Sequence, residues 1–222
     1  MVPLDAALLA GRAQRAVFLP TAAAEEGGET VRYWVELATA HYSAMGVEPV
    51  PLEVLDRADA ERAELAEKVA GAGLVYLSGG NPGYLAHTLA RTAVWRSILE
   101  AWHGGAALAG CSAGACALSR VAYDFRQPGR FSGEGLAVVP QLAVLPHFDR
   151  FEHAMPGLSD QMLSRTPVGA TLVGIDEKTA IVVTGDAFVV HGNKSAWRID
   201  RDGTRAQFSA GETLELSPSA GR

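Results

Sequence analysis

One pentapeptide, Gly110-Cys111-Ser112-Ala113-Gly114, carries the residue types that nucleophilic catalysis needs. A serine on a sharp strand-to-helix turn presents its hydroxyl at a sheet edge, and its neighbours must be small because the backbone doubles back there. The N–H of Ala113 would open the next helix, where the helix dipole and an unpaired donor favour a developing oxyanion. A second glycine turn, Ser78-Gly79-Gly80-Asn81-Pro82-Gly83, follows the preceding apolar run. Gly80 can bring a bare N–H to the same oxyanion. Neither turn has the spacing of a phosphate loop, and neither contains Lys or Arg.

An activated serine requires a base and a group that orients the base. His41, His87 and His103 precede the turn in helical stretches and read as partly exposed helix residues. His147 and His191 each end an apolar run after Ser112. His147 is favoured, because its run is the next buried one after the turn and pocket residues gather at such edges. In a Ser-acid-His chain order the acid lies between Ser112 and His147, where only Asp124 and Glu134 stand. Asp124, between Tyr123 and Phe125, is preferred, with Glu134 as the alternative. Cys111 is a rival nucleophile of better intrinsic reactivity, but its side chain should point away from that of Ser112.

Those residues need elements to hold them. Ala16–Leu19, Val47–Val54, Leu74–Leu77 and Ala106–Ala109 read as buried strands, and Thr30–Met45 has apolar residues at helical spacing. Ala58–Ala70, charged and alanine-rich, predicts one solvent-facing helix. Asn81-Pro82 reads as an N-cap followed by proline at the first helical position, and a helix interrupted once should run on to Trp102. Strands alternating with helices imply βαβ units and a parallel sheet. In the last third, Leu142–Leu145, Ala170–Ile175, Thr179–Val183, Ala187–Val190, Ala196–Ile199 and Thr213–Leu216 are short runs split by turn residues, so antiparallel strands are expected. A single domain spanning 1–222 is the economical reading.

Composition narrows the class. With 48% hydrophobic residues the chain can bury a core, and a net charge of −6 with no basic stripe argues against nucleic acid. No run reaches the roughly 20 apolar residues of a membrane span. The short apolar piece Ala6–Ala10 follows Asp5 and no basic residue, which makes a poor secretion signal, so a cytoplasmic location is expected. Cys111 and Cys116 match neither zinc nor redox spacing and read as reduced, buried thiols.

Four stretches, in order, resemble the peptidase E and cyanophycinase family of serine peptidases: Leu77-Ser78-Gly79-Gly80-Asn81-Pro82, Gly110-Cys111-Ser112-Ala113-Gly114-Ala115, Pro146-His147-Phe148 and Gly174-Ile175-Asp176-Glu177-Lys178-Thr179-Ala180. The resemblance runs from about Val17 to the C-terminal strands. It implies an α/β, flavodoxin-like fold akin to class I glutamine amidotransferases, with a mostly parallel sheet flanked by helices. It also implies a Ser-His-acid triad without metal or cofactor, with Ser112 as nucleophile, His147 as base, and Gly80 and Ala113 as oxyanion donors. Hydrolysis of small peptides at aspartyl residues is the implied reaction, as in dipeptidase E. Asn81 and Arg150 are the candidates for binding substrate; the family often follows its His-Phe with several arginines, and Asp149-Arg150-Phe151-Glu152-His153 keeps one. No nucleic-acid or membrane partner is expected, and the chain should be a monomer or homodimer. The rival readings are an amidotransferase-like enzyme using Cys111 and a non-catalytic member of the fold that binds a small ligand.

Overall fold

The structure, a computed structural model, describes residues 2–124 and 130–217 apart from the side chains of Glu152 and His153. Phe125, the expected shield of Asp124, lies outside the described residues. The chain is an α/β protein that gathers into two compact units, Val2–Leu118 with Ala122–Leu136, and Ser119–Val121 with Ala137 onward.

The first unit is built on a four-stranded parallel sheet. In chain order it holds α1 (Val2–Leu9), β1 (Arg15–Leu19), a 3₁₀ segment (Thr21–Glu26), α2 (Gly28–Ala44) and β2 (Glu48–Pro51). There follow α3 (Arg57–Ala60), α4 (Ala63–Glu67), β3 (Leu74–Leu77), α5 (Pro82–Leu89), α6 (Ala93–His103), β4 (Ala107–Gly110) and α7 (Ala113–Leu118). The strand order is β2-β1-β3-β4, so the order reverses between β1 and β3. Ligands of open parallel sheets bind beyond the strand ends at such a switch. The strands are short apolar runs because their faces are covered: Ala16, Val17, Leu19, Leu74, Val75 and Leu77 are sealed completely. Each large aliphatic side chain so buried contributes about 1.5–3 kcal/mol. On one side Phe18 and Tyr42 pack with Leu9, Val47, Leu74 and Ala107, so α1 and α2 share that core.

The expected helix over Ala58–Ala70 is instead two short helices, α3 and α4. Arg62 between them is extended, with φ −74° and ψ 125°. The break has polar causes: Asp56 caps α3 by accepting the Asp59 N–H, and Glu61 accepts the N–H of Ala93 at the head of α6. Nor does the stretch face solvent throughout, since Ala60, Leu65, Ala66 and Val69 are buried. Asn81 and Pro82 start α5 as expected, the Asn81 Oδ1 accepting the Tyr84 N–H at 3.0 Å.

The second unit contains β5 (Leu142–Pro146), α8 (Phe148–Ala154), α9 (Leu158–Arg165), β6 (Thr171–Ile175), β7 (Thr179–Thr184), β8 (Ala187–Gly192), β9 (Ser195–Ile199) and β10 (Arg205–Ser209). One sheet has the order β10-β9-β6-β5, and β7 with β8 forms a hairpin. β5 and β6 are parallel, while β6, β9 and β10 pair antiparallel. Antiparallel strands were expected here; α8, α9 and β10 were not. The Thr213–Leu216 run is no strand: Thr213 makes an isolated bridge to Val189. Among the described residues no helix is long and apolar enough to cross a membrane.

Candidate active site

At the end of β4 the chain reverses within three residues. Cys111 N–H donates to the Leu77 carbonyl at 3.1 Å, which continues the β3–β4 ladder by one bond. Ser112 then adopts φ 49°, a left-handed conformation, and α7 begins at Ala113. For a residue with a β-carbon that conformation costs about 1–2 kcal/mol, so the surroundings must hold it. Gly114 N–H donates to the Cys111 carbonyl at 2.8 Å, and Cys116 N–H to the Ser112 carbonyl at 3.1 Å. The glycines are obligatory on steric grounds. A β-carbon on Gly110 would lie 2.5 Å from the Gly114 carbonyl carbon, and one on Gly114 would lie 2.2 Å from the Leu77 oxygen. The turn therefore packs backbone directly on backbone, and Ser112 is left half-buried at the sheet edge.

The second glycine turn runs beside it. A β-carbon on Gly79 would come within 3.5 Å of the Ser112 Cβ. Gly80 has φ 137°, and a β-carbon there would collide with the Ala22 oxygen at 2.2 Å. Asn81 N–H donates to that same oxygen at 2.7 Å, so the 3₁₀ segment clamps the turn. Ala113 is the first residue of α7, and a first-turn N–H has no acceptor within its own helix. The Asn81 side chain is buried and committed at both ends: Oδ1 caps α5, and Nδ2 donates to Glu25 at 3.0 Å. Glu25 also pairs with Arg130.

The thiols do not look like nucleophiles. Burial pushes the Cys111 thiol above its ordinary range, against the opposing effect of a hydrogen bond with Tyr76. Burial likewise pushes Cys116 up to about 12. An attacking thiol has its pKa lowered by a cation or helix terminus instead. The two candidate acids differ sharply. Asp124 is 4% exposed and close enough to Cys116 for its charge to help raise that thiol. Glu134 is exposed, its N–H donating to Ser132 Oγ at 3.3 Å.

In the second unit, β5 ends at Pro146, opposite Ile175 of β6. His147 follows with φ 52° and ψ 37° and caps α8, its carbonyl accepting the Arg150 and Phe151 N–H groups. Phe148 turns inward, and a β-carbon on Gly174 would fall 2.5 Å from its ring, so β6 needs glycine there. Glu177, two residues beyond β6, brings its Oε1 3.4 Å from His147 Nδ1. Arg150 Nε lies 2.9 Å from that oxygen. The Glu177 N–H donates to Asp149 Oδ1 at 3.0 Å, and Asp149 pairs with Lys194. Burial alone would push the Asp149 carboxyl up; the Lys194 and Glu177 hydrogen bonds outweigh it and hold it below the usual range. Asp176 accepts from the Ser195 N–H at 3.2 Å and Trp197 Nε1 at 3.1 Å, which pins the end of β6 to β9. His191, the alternative base, is exposed at the end of β8.

Glu177 lies outside the interval between Ser112 and His147 in which chain order places an acid, so its approach to His147 is not legible from that order. The available signal was register: β5 and β6 end side by side, so residues just past each end are neighbours. Among the described residues no cluster of three or more His, Cys, Asp or Glu could hold a metal ion.

The profile of Peptidase family S51 matches residues 4–191. An uncharacterized peptidase of Pasteurella multocida (strain Pm70) is 28% identical over 186 residues, covering 79% of this chain and 84% of that protein. The crystal structure of a peptidase from an acI-B1 Actinobacterium superposes with a TM-score of 0.86 at 35% identity, over 97% of this chain and 91% of that one. A putative peptidase E protein from Listeria monocytogenes EGD-e shares the fold, with a TM-score of 0.65 at 21% identity over 87% of this chain and 94% of that one.

Proposed function

The chain belongs to peptidase family S51 and is a serine-type peptidase, and from that premise we propose that it cleaves small peptides at aspartyl residues, with Ser112 as nucleophile, His147 as base and Glu177 as acid. The observation that carries this reading is the backbone of Ser112: a strained residue at a strand end, between two glycines that admit no side chain. Strain persists where surroundings over-determine it, and such residues cluster at active sites.

Ser112 Oγ attacks the scissile carbonyl while His147 takes its proton. The N–H groups of Gly80 and Ala113 receive the oxyanion. His147 then protonates the leaving amine, and water, deprotonated by His147 in turn, releases the acyl group from Ser112. Glu177 holds the imidazole in one tautomer and offsets its charge when it is protonated; the 3.4 Å approach supports it over Asp124 and Glu134. Preference for an acidic residue is supported by Arg150, whose side chain is 71% exposed one helical turn from His147. No step calls on a metal or cofactor.

A fluorophosphonate probe should label the wild-type protein and not Ser112→Ala. A dipeptide library should show Asp-X peptides cleaved first, with turnover lower by about four to six orders of magnitude in Ser112→Ala. Undiminished turnover in that variant would refute the assignment.

A further inference from the structure

His147 and Arg150 converge on a single oxygen. Glu177 Oε1 is 3.4 Å from His147 Nδ1 and 2.9 Å from Arg150 Nε. The imidazole thus stands beyond the 2.7–3.2 Å of an ordinary N–H···O bond, while the guanidinium holds the closer place. Residues 147 and 150 are three apart at the start of α8, so both side chains reach the same spot.

The three groups are not equally fixed. Glu177 is tethered through its N–H to Asp149, and Asp149 to Lys194. Asp176, the residue before it, is bound to Ser195 and Trp197. His147 is held by its backbone at the head of α8. Arg150 alone of the three reaches well into solvent, its side chain 71% exposed against 39% for His147 and 25% for Glu177. It is the movable member.

We propose that Arg150 couples recognition of a substrate carboxylate to the readiness of the His147–Glu177 pair. In the free protein Arg150 occupies Glu177 Oε1. A peptide bearing an acidic side chain offers the guanidinium a second carboxylate, which it can grip with two parallel N–H···O bonds. Arg150 then leaves Oε1, and the oxygen is given over to the Nδ1–H of His147. A neutral peptide of the same shape leaves Arg150 where it is. Specificity for acidic substrates therefore appears in the rate of the chemical step as well as in binding. Among the described residues, Asp149 and Lys194 pair with each other, and Asp176 is engaged by β9. The inference rests on the peptidase reading above.

The test uses the Ser112→Ala protein, with and without Arg150→Gln, and follows the His147 Nδ1–H proton by NMR, assigned by its loss in His147→Asn. Asp-Leu should move that resonance downfield, Asn-Leu should not, and Arg150→Gln should show the downfield position without peptide. In the Ser112-containing protein, Arg150→Gln should react with a neutral fluorophosphonate a few-fold faster than wild type yet turn over Asp-Leu at least about tenfold more slowly. Opposite signs on the two substrates are what a merely structural arginine would not produce. The proposal is overturned if Asp-Leu leaves the resonance in place, if Arg150→Gln starts at the wild-type position, or if the variant slows both reactions. A wild-type protein that no fluorophosphonate labels would refute the peptidase reading itself, with the NMR arms still readable.

Discussion

Gly114→Ala is the smallest change that should disable the Ser112 turn. The added methyl group would sit 2.2 Å from the Leu77 carbonyl oxygen, 2.9 Å from its carbon and 3.0 Å from its Cβ. A carbon and an oxygen without a bond between them stay about 3.3 Å apart or more, so α7 must retreat from β3 by about 1 Å. Neither side gives easily, because Leu77 is central in the sheet and completely buried and Ala113 is 2% exposed. Overpacking of this kind costs about 1–3 kcal/mol, and a displacement near 1 Å at a reacting centre costs about a hundredfold in rate. The assay pairs urea unfolding with the rate of fluorophosphonate labelling. Gly28→Ala is the control: nothing lies within 4 Å of its added methyl group at the start of α2, so it should be neutral or slightly stabilising. A Gly114→Ala protein with wild-type midpoint and labelling rate would refute the claim that backbone contact between α7 and β3 sets the serine.

Glu177→Gln should lower kcat about 10²- to 10⁴-fold with little change in KM, whereas Asp124→Asn should leave kcat within a few-fold; steady-state kinetics on Asp-Leu decides between the two carboxylates. Cys111 should be alkylated slowly by iodoacetamide at neutral pH and without matching loss of activity, since burial raises its thiol. Asp149 gives a pH dependence with a definite sign. Its carboxyl is held below the ordinary range when folded, so its contribution to stability is complete above the unfolded value of about 3.9 and is lost as pH falls through the depressed folded value. Chemical denaturation should therefore find Asp149→Asn less stable than wild type at pH 5–7, with the difference closing below about pH 4.

Much of the first unit was legible because local rules and tertiary structure agree there. Short apolar runs became β1, β3 and β4, Asn81 and Pro82 did start α5, and the Gly-x-Ser-x-Gly spacing corresponds to a real strand-to-helix turn. Reading failed where distant polar contacts override composition, as at Arg62, where capping by Asp56 and the Glu61–Ala93 bond divide an alanine-rich helix. It failed again in the second unit, where α8 begins on a left-handed histidine that no propensity favours and α9 has few apolar residues. Glu177 could not be found by chain order, because its proximity to His147 is a product of parallel register between strands 142–146 and 171–175.

Ser112 and His147 solve one geometric problem in the same way. Each lies within two residues of the end of a parallel strand, each takes a left-handed backbone, with φ 49° and 52°, and each is followed at once by a helix. Strain alone does not mark function, since Arg91, Ala137 and Lys178 also have positive φ. None of those three joins a parallel strand to a helix. The combination is informative because a left-handed residue at that junction turns the chain from strand into helix within a residue or two. Glycine would satisfy the backbone at both positions without strain. A hydroxyl and an imidazole standing there instead, each at a cost of about 1–2 kcal/mol, agree with the proposal that Ser112 and His147 act on a bound peptide.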